Sequence, residues 1–465
     1  MAVGRRGFLK RLAFGGALLP WAGCALRTAA PASTEQPNIV LITADDLGWK
    51  DLSSYGNDNV VTPHLDRLAR EGAAFSHAFG ATSSCSSARA TFITGQYPHT
   101  HGVTGLAHAH LLRSLAPWRI TLPKLLREAG WRTAIEGKWH VAPFFPTSWY
   151  GYDERLSGVL PGDMWITDAQ KSVDWIRSHA GERFYLELNY MSTHRDDAGD
   201  FSFVPGFPVD PEAIRVPAYL ALPNWPEIRA GLARFYSQML HMDAMIGAVV
   251  DALDALDLSS RTLVAFVSDN GAPFPGSKMT LYDRGIGTPL LFRWPGRIRG
   301  GLVADELVST VDLAPTLLAA AGLGQPIGIE GVSLLPRLLG GVAHDRQAVF
   351  AEMTYHIGYQ PMRAVRTRDW KYVRNYSPDP IGLDQLADEE WPHRLVELPN
   401  QPWTRPRPPE ELYDLREDPH EQRNLVVVGR RPVAVAELAA LLDQHMRRSG
   451  DPYAGRALPG AITAG

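Results

Sequence analysis

From Ile39 to Ile42 the run Asn38-Ile39-Val40-Leu41-Ile42-Thr43 is continuously apolar and mostly β-branched, the pattern of a strand covered on both faces. Thr262-Leu263-Val264-Ala265-Phe266-Val267 repeats it, and Phe184-Tyr185-Leu186-Glu187-Leu188-Asn189-Tyr190 alternates, so two more strands are expected. Between them the apolar period lengthens to that of helices. Thr62-Pro63-His64-Leu65 opens one with Thr as cap and Pro in the first turn; Leu65, Leu68 and Ala69 face the core and Gly72 closes it. Thr121 to Gly130 repeats that grammar. A long helix is expected from about Glu227 to Leu256, packing through Leu232, Phe235, Tyr236, Met239, Leu240, Ile246, Val249, Val250 and Leu253. Strand, helix and strand in this order predict an α/β fold, a large mostly parallel sheet sandwiched by helices. From about Ala348 the texture changes. Short strands (Met362 to Val365, Trp370 to Asn375), a Pro-rich loop from Pro399 to Pro409, Glu411-Leu412-Tyr413-Asp414-Leu415 and a last helix near Val433 to Met446 predict a smaller C-terminal α+β domain carrying an antiparallel sheet. The expected boundaries are 1–36 for a leader and linker, 37–345 for the main domain and 346–465 for the smaller one.

The polar residues that interrupt this pattern stand where open α/β sheets place their sites, just past strand ends. Asp45-Asp46 follows the first strand, Ser268-Asp269-Asn270-Gly271 follows the third, and Met191-Ser192-Thr193-His194 follows the second. Two adjacent carboxylates repel and need a cation, and oxygen donors of this kind suit Ca²⁺ or Mg²⁺; an isolated Asp-Asp pair equally suits a capped turn. Cys85 sits at the mouth of a short predicted helix, with Arg89 one turn on and on the same face, so an anion at the cysteine would meet backbone N–H groups and a guanidinium. A free cysteine is also, more commonly, a small buried residue. Lys138 and His140 are two apart in Ile135-Glu136-Gly137-Lys138-Trp139-His140 and would point the same way on an extended segment, and Lys278 lies in a Gly- and Pro-rich loop.

Composition narrows the choice. The 465 residues hold 45% hydrophobic and 21% charged side chains with a formal net charge of -4, an ordinary globular balance that argues against broad binding to nucleic acid or to a membrane surface but allows a local cationic pocket. Only Cys24 and Cys85 are present, and Cys24 falls in the leader, so no structural disulfide is expected in the mature domain. Gly4-Arg5-Arg6-Gly7-Phe8-Leu9-Lys10 with the apolar stretch from Leu12 to Leu26 reads as a twin-arginine export signal, too short for an ordinary transmembrane helix. Export to the periplasm through the twin-arginine translocase is the expectation; Trp21-Ala22-Gly23-Cys24 leaves a lipid anchor at Cys24 as an alternative.

Taken in order, these motifs resemble the sulfatase family of the alkaline phosphatase superfamily from Pro37 to about Tyr453: Asn38-Ile39-Val40 through Asp45-Asp46, the cysteine motif through Arg89-Ala90-Thr91 and Thr94-Gly95, Gly137-Lys138-Trp139-His140, Ser268-Asp269-Asn270-Gly271, and Glu411-Leu412-Tyr413-Asp414-Leu415 with Asp418-Pro419. The resemblance implies that a formylglycine-generating enzyme oxidises Cys85 to formylglycine, whose hydrated aldehyde supplies the attacking hydroxyl. It implies one Ca²⁺ held by Asp45, Asp46, Asp269, Asn270 and the modified Cys85, and a sulfate surrounded by Arg89, Lys138, His140, His194 and Lys278. Ser87 stands where the family's modification signal usually has Pro or Ala. Asp269-Asn270-Gly271-Ala272-Pro273-Phe274-Pro275, Thr193-His194-Arg195, Pro361-Met362-Arg363-Ala364-Val365 and Asp418-Pro419-His420-Glu421 resemble the branch that hydrolyses the N-sulfate of glucosamine in heparan-type saccharides. An O-sulfatase, a phosphonate or phosphate ester hydrolase, and a non-catalytic sulfated-glycan binder with unmodified Cys85 are the alternatives.

Overall fold

The computed structural model describes residues 36–107, 113–157, 168–196, 199–201, 204–380, 394–395, 397–398, 405–426 and 432–459. The export signal, Cys24 and residues 399–404 of the Pro-rich loop lie outside them. Gln36–Gly465 form one compact unit, with no division at the boundary expected near 345. Among the described residues no helix is long and apolar enough to cross a membrane.

The strands, in chain order, are β1 (Asn38–Ala44), β2 (Ala73–Phe75), β3 (Ala78–Phe79), β4 (Arg132–Gly137), β5 (Glu154–Arg155), β6 (Phe184–Tyr190), β7 (Thr262–Ser268), β8 (Leu290–Arg293), β9 (Leu302–Ala304), β10 (Val308–Ser309), β11 (Val349–Tyr355), β12 (Tyr359–Arg366), β13 (Trp370–Asn375) and β14 (Glu410–Asp414). Eight of them make the main sheet in the order β5-β4-β6-β1-β7-β8-β2-β9. β1 lies between β6 and β7, parallel to both, and all seven of its residues are buried. That explains its unbroken apolar run: Val40, Ile42 and Ala44 enter one core while Ile39 and Leu41 enter the other. Truncating a fully buried position such as Leu41 to Ala would cost about 2–5 kcal/mol. The first core is closed by the helix Pro226–Ala255 and the second by the helices Leu122–Glu128 and Leu313–Ala320. The expected parallel sheet is interrupted by β8, which runs antiparallel to both β7 and β2.

Register delivers the chemistry. Ala44 pairs with Tyr190 on one side and Ser268 on the other, and Gly137 pairs with Asn189, so the carboxyl ends of four strands finish level. The residues that follow, Asp45, Lys138, Met191 and Asp269, therefore emerge at one edge of the sheet.

β11 to β14 form the expected antiparallel C-terminal sheet, and its strands alternate between two cores. Ala364 and Val373 face Phe79, Met279 and Ile286 of the main domain; Val365 and Tyr372 face the last helix, Val433–Ser449. That helix buries Val435, Leu438, Ala439, Leu442 and Met446, a stripe at helical spacing.

Candidate active site

The helix Cys85–Thr94 is buried at every position, as no surface helix is, and Gly95 ends it in the left-handed conformation. Its first residue, Cys85, points its Sγ to within 3.8 Å of Asp46 Oδ1 and 3.6 Å of Asn270 Oδ1. One turn on, Arg89 donates from Nε to Asp269 Oδ2 at 3.0 Å and from Nη1 to Thr43 and the Lys138 carbonyl. Lys138 Nζ binds Asp45 Oδ2 at 2.5 Å and Lys278 Nζ binds Asp46 Oδ2 at 2.7 Å. His194 Nε2 lies 3.4 Å from Lys278 Nζ and 3.6 Å from Asp46 Oδ2. Asp269 accepts the Asp46 N–H on its other oxygen, and the Asn270 amide donates to Asp46 Oδ1 at 2.7 Å. Nine of the ten residues singled out from the sequence thus share one cluster. The tenth, His140, is buried two residues beyond Lys138, but the strand stops at Gly137 and His140 has φ 50, so the extended geometry expected for Lys138 and His140 does not hold.

The backbone is held in place with effort. Seven non-glycine residues have left-handed φ among those described, and four of them are Asp46, His140, Thr193 and Met279, each in the cluster or within two residues of a member of it. Such conformations persist only where surrounding contacts over-determine them. Thr193 shows how: its hydroxyl donates to the Asp45 carbonyl at 2.5 Å and its N–H to Gln238.

Three carboxylates and three cations in one buried space perturb each other strongly. Burial works against ionising Asp45, yet the charges of Lys138, His194, Arg89 and Lys278 hold it well below the usual carboxylate range. Asp269 goes the other way, pushed up to about 7 by burial and by the charge of Asp45. Burial would lower Lys138 and Lys278, but the neighbouring carboxylates win and both are raised. His194 is pulled down to about 4 by burial and by the two lysines. Burial pushes the Cys85 thiol well above its ordinary value despite Lys138 and Lys278, so an unmodified thiol here is a poor nucleophile at neutral pH.

Residues 37–323 match the family model for sulfatases, and residues 276–402 match that for the C-terminal region of N-sulphoglucosamine sulphohydrolase. The chain belongs to the sulfatase family. It is 32% identical to human N-sulphoglucosamine sulphohydrolase over 92% of this sulfatase and 94% of the human protein. It is also 32% identical to the N-acetylgalactosamine-6-sulfatase of Canis lupus familiaris, over 68% of this chain and 69% of that one. A structure solved with its substrate D-glucosamine-2-N,6-O-disulfate shares the fold at TM-score 0.69 and 20% identity, covering 90% of this sulfatase and 99% of that chain. As the family implies, the enzyme is a hydrolase of sulfuric esters or sulfamidates.

The donor set fits a hard divalent cation. Ligand atoms of Asp45, Asp46, Cys85 and His194 all lie within 4.8 Å of one another. Asp45 Oδ1 is buried without a hydrogen bond, 3.8 Å from an equally unsatisfied Arg89 Nη2. Oxygens of Asp45, Asp46 and Asn270 dominate this space, as Ca²⁺ prefers. The converging group includes His194, which the resemblance placed around the sulfate, and leaves out Asp269, whose two oxygens are taken by the Asp46 N–H and Arg89.

Sequence reasoning missed a polar wall beneath Arg89. Thr43 receives Arg89 Nη1 and donates to Asn189; the Asn189 amide donates to Glu187, which also accepts from Tyr152 and Tyr185 at 2.6 Å each. Its signal was present in the sequence as Thr43, Glu187 and Asn189, polar residues inside strands that are otherwise apolar.

Proposed function

We propose that this sulfatase removes the N-linked sulfate of a terminal glucosamine in heparan-type saccharides, through formylglycine at position 85 and Ca²⁺. The observation that carries this reading is the extent of the likeness: the match to the human N-sulphoglucosamine sulphohydrolase runs through the C-terminal region, where a separate family model for that enzyme also matches. Converted Cys85 would supply a hydrated aldehyde whose hydroxyl attacks the sulfur, at a point where its neighbours are already within 3.8 Å. Asp45, Asp46, Asn270 and the converted Cys85 would hold Ca²⁺, with Asp269 joining them through the lone pairs its oxygens keep beside the Asp46 N–H and Arg89, and the ion would supply Lewis-acid stabilisation of charge on the sulfuryl oxygens.

The chain's other residues have separable tasks. Arg89 is fixed by Asp269, Thr43 and the Lys138 carbonyl, so its guanidinium meets an arriving sulfate without reorganising. Lys138 and Lys278 add fixed positive charge, and their raised affinity for protons keeps them charged at any physiological pH. The departing amine needs a proton. His194, 3.4 Å from Lys278, would give it; its proton affinity, lowered in the free site by burial and the lysines, would rise once an anion lies among them. His140 is the second candidate donor. Export through the twin-arginine route, from Arg5 and Arg6, belongs to the same reading.

The test offers N-sulfoglucosamine, glucosamine 6-sulfate and an aryl sulfate to protein of measured formylglycine content. The reading expects the highest kcat/KM on N-sulfoglucosamine. Cleavage of the 6-sulfate with N-sulfoglucosamine untouched would make the enzyme an O-sulfatase with the same nucleophile.

A further inference from the structure

Ser84 occupies the N-cap of the Cys85–Thr94 helix, yet its side chain makes no capping bond. A cap serine ordinarily satisfies a helix N–H. Here the fully buried hydroxyl is instead 3.0 Å from His356 Nδ1. His356 belongs to the tip of the β11–β12 hairpin, 272 residues away in sequence, so the C-terminal sheet touches the residue that precedes the nucleophile position.

The tip is placed by more than this contact. The Tyr355 N–H donates to the Thr104 carbonyl, and a Cβ on Gly105 would lie 2.6 Å from Tyr355 Cβ, so the hairpin rests directly on loop 104–107. That loop is tied to the nucleophile helix where the Ala107 N–H donates to Ser86. A register shift between Met353 and Tyr355 breaks the β11–β12 ladder just before the tip, the device by which sheets re-aim side chains beside active sites. The Arg113 guanidinium lies 4.1 Å over the Tyr355 ring, and two residues on, the Leu115 N–H donates to the carbonyl of Val141, the residue after His140. The tip is therefore tied directly to the Cys85 turn and, through residues 113–115, to the loop leaving His140.

Although anchored, it stays open to solvent at its outer edge. Ile357 is 51% and Tyr359 is 45% exposed, and the Tyr355 and Tyr359 rings pair with centroids 5.0 Å apart. A tyrosine pair beside a guanidinium, on a hairpin whose His356 meets the residue before Cys85, suits a pyranose: its C–H face stacks on a ring and its hydroxyls or a further anionic group meet Arg113.

We propose that the β11–β12 hairpin tip is the surface that receives the sugar ring of the substrate, with Tyr355 and Tyr359 as contacts and His356 as the positioning residue that fixes the tip to the Cys85 turn. This rests on the saccharide reading of the site. It predicts that the C-terminal sheet sets selectivity for the sugar, while the sulfate end is handled by the main domain.

The experiment uses the full chain with measured formylglycine content and compares N-sulfoglucosamine with an aryl sulfate, for wild type, Tyr359→Ala, His356→Ala, His356→Gln and Ile357→Asp. In Tyr359→Ala and Ile357→Asp the ratio of kcat/KM for the sugar to that for the aryl sulfate falls roughly tenfold, through a higher sugar KM. His356→Ala lowers the same ratio, and His356→Gln, which can still bond Ser84, restores most of it. A ratio unchanged in Tyr359→Ala and Ile357→Asp overturns the proposal, as does an equal loss on both substrates, which would make the hairpin a mere support for the nucleophile turn. Ile357→Asp alters only an exposed side chain, so misfolding of the others leaves the proposal open to refutation. If the wild type cleaves glucosamine 6-sulfate but not N-sulfoglucosamine, the substrate reading fails, and the same ratio measured with the 6-sulfate still decides on the hairpin.

Discussion

Among the described residues two largely buried clusters bring three or more possible metal ligands within 4.8 Å of one another, and they behave in opposite ways. In the C-terminal one, His99, Glu352 and Asp451 are closed around Arg363, whose guanidinium binds Asp451 with two nitrogens and also donates to the Met353 and Met362 carbonyls. Glu352 accepts the His99 ring and its backbone N–H. None of these four residues has a buried side-chain atom without a hydrogen bond, and none has a left-handed φ. The cluster at Cys85 is equally buried but holds an unsatisfied carboxylate oxygen, an unsatisfied guanidinium nitrogen, a carboxyl pushed up to about 7 and strained backbone at Asp46. Buried charge alone therefore does not mark a site. What separates the two is whether the charges are satisfied by each other or left to meet something else.

The comparison makes its sharpest demand on the nucleophile. Cys85→Ala is expected to lower kcat by at least roughly 10³-fold with an unchanged melting temperature, because the side chain is small and the helix around it is packed by its neighbours. A melting temperature several degrees lower would mean that Cys85 is structural.

Arg363→Met should show the opposite pattern. Removing the guanidinium leaves Asp451 and Glu352 buried without their cation, at a cost of roughly 3–5 kcal/mol in unfolding free energy by denaturant titration. The kcat per folded molecule should stay close to wild type. A stable variant with lost turnover would erase the distinction drawn between the clusters.

Chelation separates them again. Exhaustive EGTA treatment should abolish turnover, with recovery on adding Ca²⁺, and should lower the melting temperature by an amount that depends on free Ca²⁺. Full activity at a measured metal content of nil would remove the cation from the account.

The smallest effect is the C-terminal cluster's own contribution to the pH dependence of stability. Burial would lower His99, but its hydrogen bond to Glu352 and the nearby carboxylates raise it above its ordinary value. Its contribution is therefore complete below the unfolded value of about 6.5 and is lost as pH rises through the higher folded value. Asp451 is held low by Arg363 against burial, so its contribution is present above about 3.9 and is lost as pH falls through the lower folded value. Melting temperatures of wild type should decline on both sides of this window, and His99→Gln should flatten the alkaline limb. An unaltered alkaline limb in that variant would contradict the assignment.

Much of this was readable from the chain, for a reason that differs by element. β1, β6 and β7 are covered on both faces by their own sheet's helices, so local apolar patterning declared them almost to the residue. The site residues were readable because parallel strands end together: once the strands are known, Asp45, His194 and Asp269 must share an edge. β2, β3, β9 and β10 have two or three residues each, too few for a period, and the antiparallel direction of β8 depends on partners far along the chain. His140 departs from the extended reading because the strand ends at Gly137, whose own φ is 79, and the chain turns there before reaching His140. The Ser84 to His356 contact spans 272 residues and has no local signature at all.

The central claim is that Cys85 carries the nucleophile only after conversion, since as a buried thiol it is held in its unreactive protonated form. Mass spectrometry of the peptide containing Cys85, taken from preparations of graded activity, tests this most directly. Specific activity should rise in proportion to the fraction of peptide that has lost the mass difference between a thiol side chain and an aldehyde. Full turnover in a preparation whose Cys85 is entirely thiol would contradict it.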